Sequence, residues 1–373
     1  MSFPGVVVLA SAQTELRPAW HSAQHVDLIS AVSTAVFQGT GLTLEDVDFV
    51  IDSGSDVLDG RSISNCGFLG AMGAHHKEES RVEEDGLWAA AYGAAKIAAG
   101  GASAGLIIAY SKPSESDPNL FYKSQVEPFY QRPVGFDHRA AMGMQAQRYL
   151  ADHGTSVGAL AELVVRRWQD AASRGRVAID SVPDVAGVLA SPNVAAPLRQ
   201  LMMSRLVDGA VAVLLVSDEV ALRCGRSAPR ITGVGTSMDT HAFAARRAGR
   251  LEAAEVAARA AYRQAGWAHP APSLAEVSGS SAVGELMVLE AAGLAAPGRG
   301  LDLLEHGSPV AVNRSGGALP ADPIMATGLV RLAEAARQLS NPGRYGLAAP
   351  RSALVHGTGG VGMQSHCFMT LEV

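Results

Sequence analysis

Three places in this chain carry side chains suited to moving protons. Glu83, Glu84 and Asp85 stand together just before an alanine-rich stretch. At a helix start such acids are stabilised by the helix dipole, by about 0.3–1 kcal/mol per charge. At the mouth of a pocket the same acids can act as a general base. His356 opens the run His356-Gly-Thr-Gly-Gly360. Histidine titrates near neutral pH, so it can pass a proton at a carbon or a hydroxyl, or simply pack beside a turn. Asp322 precedes Pro323. Aspartate is a preferred N-cap and proline suits the first helical position, so the pair predicts a helix over 324–339 that Asp322 caps. A catalytic role is the other reading of Asp322.

Other chemistries find less support. The cysteines, Cys66, Cys224 and Cys367, lie far apart and in no metal-like spacing. A disulfide framework is not expected, and a reducing compartment follows. Cys66 reads as a small buried apolar residue. His75, His76, His138, His153 and His241 have no carboxylate or cysteine at ligand spacing, so they read as surface or structural, and no metal site is expected. Gly233-Val-Gly235 lacks the rest of a dinucleotide fingerprint.

These candidates must be positioned by a core, and the chain has the material for one. Of its 373 residues 48% are apolar, enough for about two domain-sized units. The net charge of −6 argues against nucleic acid or an anionic membrane as partner. No apolar stretch approaches the ~20 residues that span a bilayer. The opening run has no basic flank and reads as a strand, so a soluble cytoplasmic protein is expected.

Strands and helices alternate. Val6–Ala10 is a short continuous apolar run, fit for a strand buried on both faces; Gly105–Tyr110 reads as another buried strand, and the chain returns to the sheet at Asp208–Val216. Residues 25–37 and 87–99 have helical spacing. Ser111–Arg139 breaks the rhythm with prolines and aromatics and reads as an excursion over the core that covers a site or an interface. It continues through helices to about residue 175. From Ile231 the β-α order repeats, so an α/β class with an internal duplication is expected. The division falls at 1–228 and 229–373.

Five segments, in order, resemble the thiolase family, in particular the branch related to sterol-carrier-protein thiolases. They are VVVLASAQTE with LTLEDVDFVID, then DGLWAAAYGAAKIAAGGASAGLIIAYSKPSES, then VAGVLASPNVAAPLRQLMMSRLVDGAVAVLLVSDEVA, then GSPVAVNRSGGALPADPIMATG, and ALVHGTGGVG. The resemblance implies a thiolase fold: two duplicated βαβαβαββ halves in five αβαβα layers, with a loop and helical excursion. It also implies acyltransferase activity on a CoA thioester as substrate, with no bound cofactor.

The family's functional positions carry other residues here. Its nucleophilic cysteine opens the long helix, and counting back from Gly100 puts Glu83 there; no cysteine lies between Cys66 and Cys224. Its histidine before proline is Asp322, its second cysteine is His356, and its Asn-Glu-Ala-Phe turn reads Ser278-Gly279-Ser280-Ser281. The resemblance marks His356, Glu83 and Asp322 as catalytic candidates. It marks Gly316, Gly317, Gly359 and Gly360 as glycines whose N–H groups meet an acyl oxygen, and Asn313 and Ser278 as substrate contacts. Two functions follow as expectations. One is a degenerate subunit of a heteromeric thiolase complex, paired with a homologous thiolase subunit or with a small OB-fold, zinc-ribbon partner of the DUF35 type. The other is an acyl-CoA retro-aldolase using His356 as acid and base.

Overall fold

Strands covered on both faces are unbroken apolar runs, and Ala104–Tyr110 and Ala210–Val216 are buried at every residue. A computed structural model of the protein describes residues 5–305 and 308–373. The first half runs β1 (Val6–Gln13), α1 (His25–Ala35), β2 (Phe49–Ser53), α2 (Asp56–Asp59), α3 (Leu69–Met72), β3 (Glu78–Val82), α4 (Gly86–Ala98) and β4 (Ala104–Ser111). The excursion follows, with α5 (Pro118–Ser124), α6 (His138–His153), α7 (Val157–Ala172), α8 (Val185–Ala190) and a hairpin of β5 (Asn193–Ala195) and β6 (Leu198–Arg199). The chain then returns through β7 (Gly209–Ser217) and α9 (Asp218–Arg223). The second half runs β8 (Arg230–Met238), α10 (Glu252–Ala265), β9 (Leu274–Glu276), α11 (Ala282–Ala291), β10 (Ala311–Val312), α12 (Thr327–Ser340), β11 (Ser352–Gly359) and β12 (Ser365–Glu372).

The sheet order is β10-β9-β11-β12-β8-β1-β7-β4-β2-β3. It is symmetric about its middle. β2 is parallel to both β3 and β4, and β4 and β1 are antiparallel to β7. β9 is likewise parallel to β10 and β11, and β11 and β8 are antiparallel to β12. The halves join through two residue pairs, Val6 with Ile231 and Val7 with Arg230. The duplication read from the β-α order is therefore present in the strand pairing.

Three buried clusters define the layers. One packs α4 and α12 between the two half-sheets, with Leu87, Ala90, Leu329 and Ala333 meeting Ile107, Val213, Val355 and Met369. A second covers the outer face of the first half with α1, and a third covers the second half with α10 and α11. The middle layer is tight because its residues are small. A Cβ on Gly86 would stand 2.8 Å from the Cβ atoms of both Ala109 and Leu329. Only glycine lets α4 start this close to both β4 and α12.

Three expectations need correction. The helix expected over 324–339 begins at Thr327, after a turn in which Ala326 N–H donates to the Pro323 carbonyl. Asp322 is too far upstream to cap it, and its carboxylate takes hydroxyl donors instead. Cys66, read as buried, is exposed. The excursion is more helical than its prolines suggested, because Asp117 and Asp137 cap α5 and α6 through their side chains. Among the described residues no helix is long and apolar enough to cross a membrane.

Candidate functional site

A pocket of about 250 Å³ opens where the head of α4, the turn before α12 and the end of β11 converge under the excursion. α4 is held there by its cap. Asp85 accepts the Leu87 N–H at 2.9 Å with one carboxylate oxygen and the Gly328 N–H at 2.8 Å with the other. One side chain thus ties the first turns of α4 and α12 together across the two halves. Burial pushes its carboxyl up to about 7, against the pull of those two N–H donors.

Glu84 lies beside it in the pocket wall and is partly open to the cavity. It accepts a hydrogen bond from the Ser365 hydroxyl, and burial raises its pKa in spite of that bond. Asp322 faces them from the other half. It accepts from the hydroxyls of Ser204 and Thr327, and burial again raises its pKa. Glu84 and Asp322 both push the Asp85 carboxyl up by charge, so the three share one electrostatic neighbourhood. Their proton-binding range moves toward neutral pH, which suits groups that give and take protons.

Glu83 also lines the pocket, but at its rim. Its side chain is about half exposed, accepts from the Asp56 N–H at 3.1 Å and lies 3.8 Å from Arg81. Gly359, Gly360 and Ser278 line the pocket as well. A Cβ on Gly359 would come within 2.1 Å of a Glu84 oxygen, so that residue must be glycine for Glu84 to sit where it does.

Four other candidates stand behind the wall. His356 is wholly buried on β11. Its Nδ1 accepts the Ser278 N–H at 3.3 Å, and its carbonyl accepts the Ser278 hydroxyl at 3.0 Å. The ring proton is then on Nε2, which donates to His366 Nδ1 at 3.0 Å. Burial holds both imidazoles well below the usual range, His366 at about 3. Asn313 is buried and its amide oxygen accepts the Val277 N–H at 2.7 Å. Gly316 and Gly317 adopt φ of 103° and 68°. A Cβ on Gly316 would meet Ala171 of α7 at 2.5 Å, and one on Gly317 would meet the Asn313 amide at 2.6 Å. Those three residues shape the 313–317 turn.

Sequence reasoning passed over Tyr122 and His138, which close the pocket from the excursion. Their rings stack at 4.1 Å and 11°. Burial holds His138 down to about 4, so it stays neutral, and burial raises the Tyr122 hydroxyl above its usual range. The available signal was their place in the aromatic-rich segment read as a cover. Among the described residues no cysteine lines the pocket. Cys367, on β12, lies beneath it with Sγ 4.0 Å from the Leu87 carbonyl, and burial raises its pKa well above normal.

The buried acids make stability depend on pH with an unusual sign. Asp52, buried on β2 with Arg81 Nε at 3.5 Å, is pushed up to about 8 by burial despite that cation. Asp52 and Asp85 bind protons in the folded chain at pH values where the unfolded chain has released them. Their contribution is complete below about pH 4 and is lost as the pH rises through 7 to 8. The buried His138, His356 and His366 act oppositely, since their contribution is lost only as pH falls below about 6.5. Urea unfolding should therefore show stability falling by about 2 kcal/mol between pH 6.5 and 8.5. Asp52→Asn should flatten that fall, and an unchanged slope in the variant would reject the assignment.

A family model described as thiolase C-terminal domain-like matches residues 235–372. The benzoylsuccinyl-CoA thiolase subunit BbsB of Thauera aromatica is 28% identical over 226 residues, covering 58% of this chain and 59% of that protein. The chain thus matches less than two thirds of that curated relative's length. Among solved structures, an Ltp2-ChsH2(DUF35) aldolase superposes with a TM-score of 0.80 at 19% identity, covering 98% of both chains. Human mitochondrial 3-ketoacyl-CoA thiolase superposes with a TM-score of 0.76 at 17% identity, covering 99% of each.

Proposed function

We propose that this chain, whose residues 235–372 match a thiolase C-terminal domain-like family, makes or breaks a carbon–carbon bond in acyl-CoA thioesters by acid–base catalysis, without a covalent acyl-enzyme. The observation that carries the proposal is the pocket wall at the head of α4. It offers Glu84, Asp85 and Asp322, all with raised pKa, and no thiol. A carboxylate is a poor acyl acceptor but a competent proton carrier once burial brings its pKa toward neutral. That an aldolase shares the fold supports the same class of reaction.

In the cleavage direction the substrate is a β-hydroxyacyl thioester. Glu84 takes the hydroxyl proton, and the Cα–Cβ electron pair moves onto the thioester as an enolate. The β-carbon leaves as an aldehyde or ketone, and a carboxyl proton returns to Cα. Backbone N–H groups at Gly359 and Gly360 are the donors for the enolate oxygen. Asp85 holds α4 to α12, and His356 holds Ser278 in the wall, so both act as positioning residues.

The purified chain is incubated with a β-hydroxyacyl-CoA, and released carbonyl product and protein mass are followed together. Product with no added mass supports the reading. An acyl group trapped on any side chain ends it.

A second reading is a degenerate, non-catalytic subunit of a heteromeric thiolase. Its support is that BbsB is a thiolase subunit and that the aldolase sharing the fold is an Ltp2-ChsH2(DUF35) aldolase. Co-purification with an intact thiolase-like chain or an OB-fold, zinc-ribbon protein, with no activity in either alone, would favour it.

A further inference from the structure

The next step rests on the acid–base reading and narrows its substrate. The pocket wall combines two kinds of side chain. Phe121 packs with Ile324 and Met325, with Tyr122 against them, and forms its apolar part. Glu83, Glu84, Asp85 and Asp322 are its acids. Among the described residues no lysine or arginine lines the cavity. Arg81, at the rim beside Glu83, is already matched by Asp52, Asp56 and Asp59 at 3.5, 3.1 and 3.1 Å. His138, the remaining ionisable ring that faces the cavity beside Tyr122, is neutral above about pH 4.

We infer that this site accepts acyl-CoA esters whose acyl end is uncharged, aliphatic or aryl, and rejects those that end in a free carboxylate. A substrate carboxylate would shed its water and meet carboxyl groups with no cation to pair it. It can enter only if the pocket takes up a proton along with it, so rejection strengthens as pH rises.

The test is calorimetric binding of hexanoyl-CoA and glutaryl-CoA, which have similar length and differ by one carboxylate. Neither carries a β-hydroxyl, so binding is read without turnover. At pH 8 glutaryl-CoA should bind at least ~10-fold more weakly. The gap should shrink at pH 6, where Glu84, Asp85 and Asp322, whose pKa values burial raises, are more protonated while Tyr122 and His138 remain neutral. In the double variant Glu84→Gln, Asp322→Asn the gap should close to within about threefold. Retained hexanoyl-CoA binding reports that the variant is folded, and the pH series on the unaltered chain stands without it. Equal affinity for both esters at pH 8 overturns the inference and leaves the acid–base reading intact. Binding of neither ester removes both.

Discussion

Glu84→Gln should lower turnover by ~10²–10⁴-fold while leaving ester affinity within a few-fold. The substitution keeps the size of the side chain and leaves a carbonyl oxygen to accept from Ser365. What it removes is the one property the mechanism needs, a proton that leaves and returns near neutral pH. Burial raises the Glu84 pKa, and the neutral amide has no such equilibrium. Measuring kcat beside a separately determined Kd distinguishes a lost proton carrier from a distorted pocket, since distortion weakens binding as well. A kcat within a few-fold of the unaltered enzyme would remove Glu84 from the chemistry.

Arg331→Ala should destabilise the fold by about 3–5 kcal/mol. Arg331 is buried in α12 and donates to Glu276 at 3.0 Å and to the Ser315 hydroxyl at 2.6 Å. Glu276, wholly buried on β9, also accepts from Ser315 and from the Gln338 amide. Removing the guanidinium leaves this carboxylate with no cation in the interior, and the penalty lies in that orphaned charge. The double variant Glu276→Gln, Arg331→Ala removes both charges and should lose much less than the two single losses together. Urea midpoints for the four proteins close the cycle. A loss below about 1 kcal/mol for Arg331→Ala would show that the pair carries little.

Much of the architecture was legible because periodicity survives in buried elements. Ala210–Val216 and Gly105–Tyr110 could only be strands enclosed on both faces, and 87–99 had the small-residue helical spacing of a packed middle layer. β3 was not legible. Glu78–Val82 lies at the sheet edge with no fully buried residue, so no apolar pattern marks it. β10 is two residues long and left no signal either. The site was legible as to region more than residue. The acidic run before α4 and the Gly359-Gly360 turn do meet, yet spacing alone did not separate Glu84, which faces the cavity, from Glu83 at the rim. The roles of Asp85 and His356 depend on donors far along the chain, the Gly328 and Ser278 N–H groups, and such partners leave no local mark. The Asp322-Pro323 pair followed a sound capping rule, but the hydroxyls of Ser204 and Thr327 claimed its carboxylate instead.

The excursion occupies residues 112–208, between β4 and β7; the equivalent strands of the other half, β11 and β12, are joined by residues 360–364 alone. The proton-carrying groups come from the repeated scaffold, whereas Phe121, Tyr122 and His138 come from the unrepeated insert. Reactivity and selectivity are thus modular. A lineage can drift in the 112–203 segment, short of the Ser204 hydroxyl that Asp322 accepts, or an engineer can graft a new one, and change which acyl groups enter without redesigning the machinery beneath.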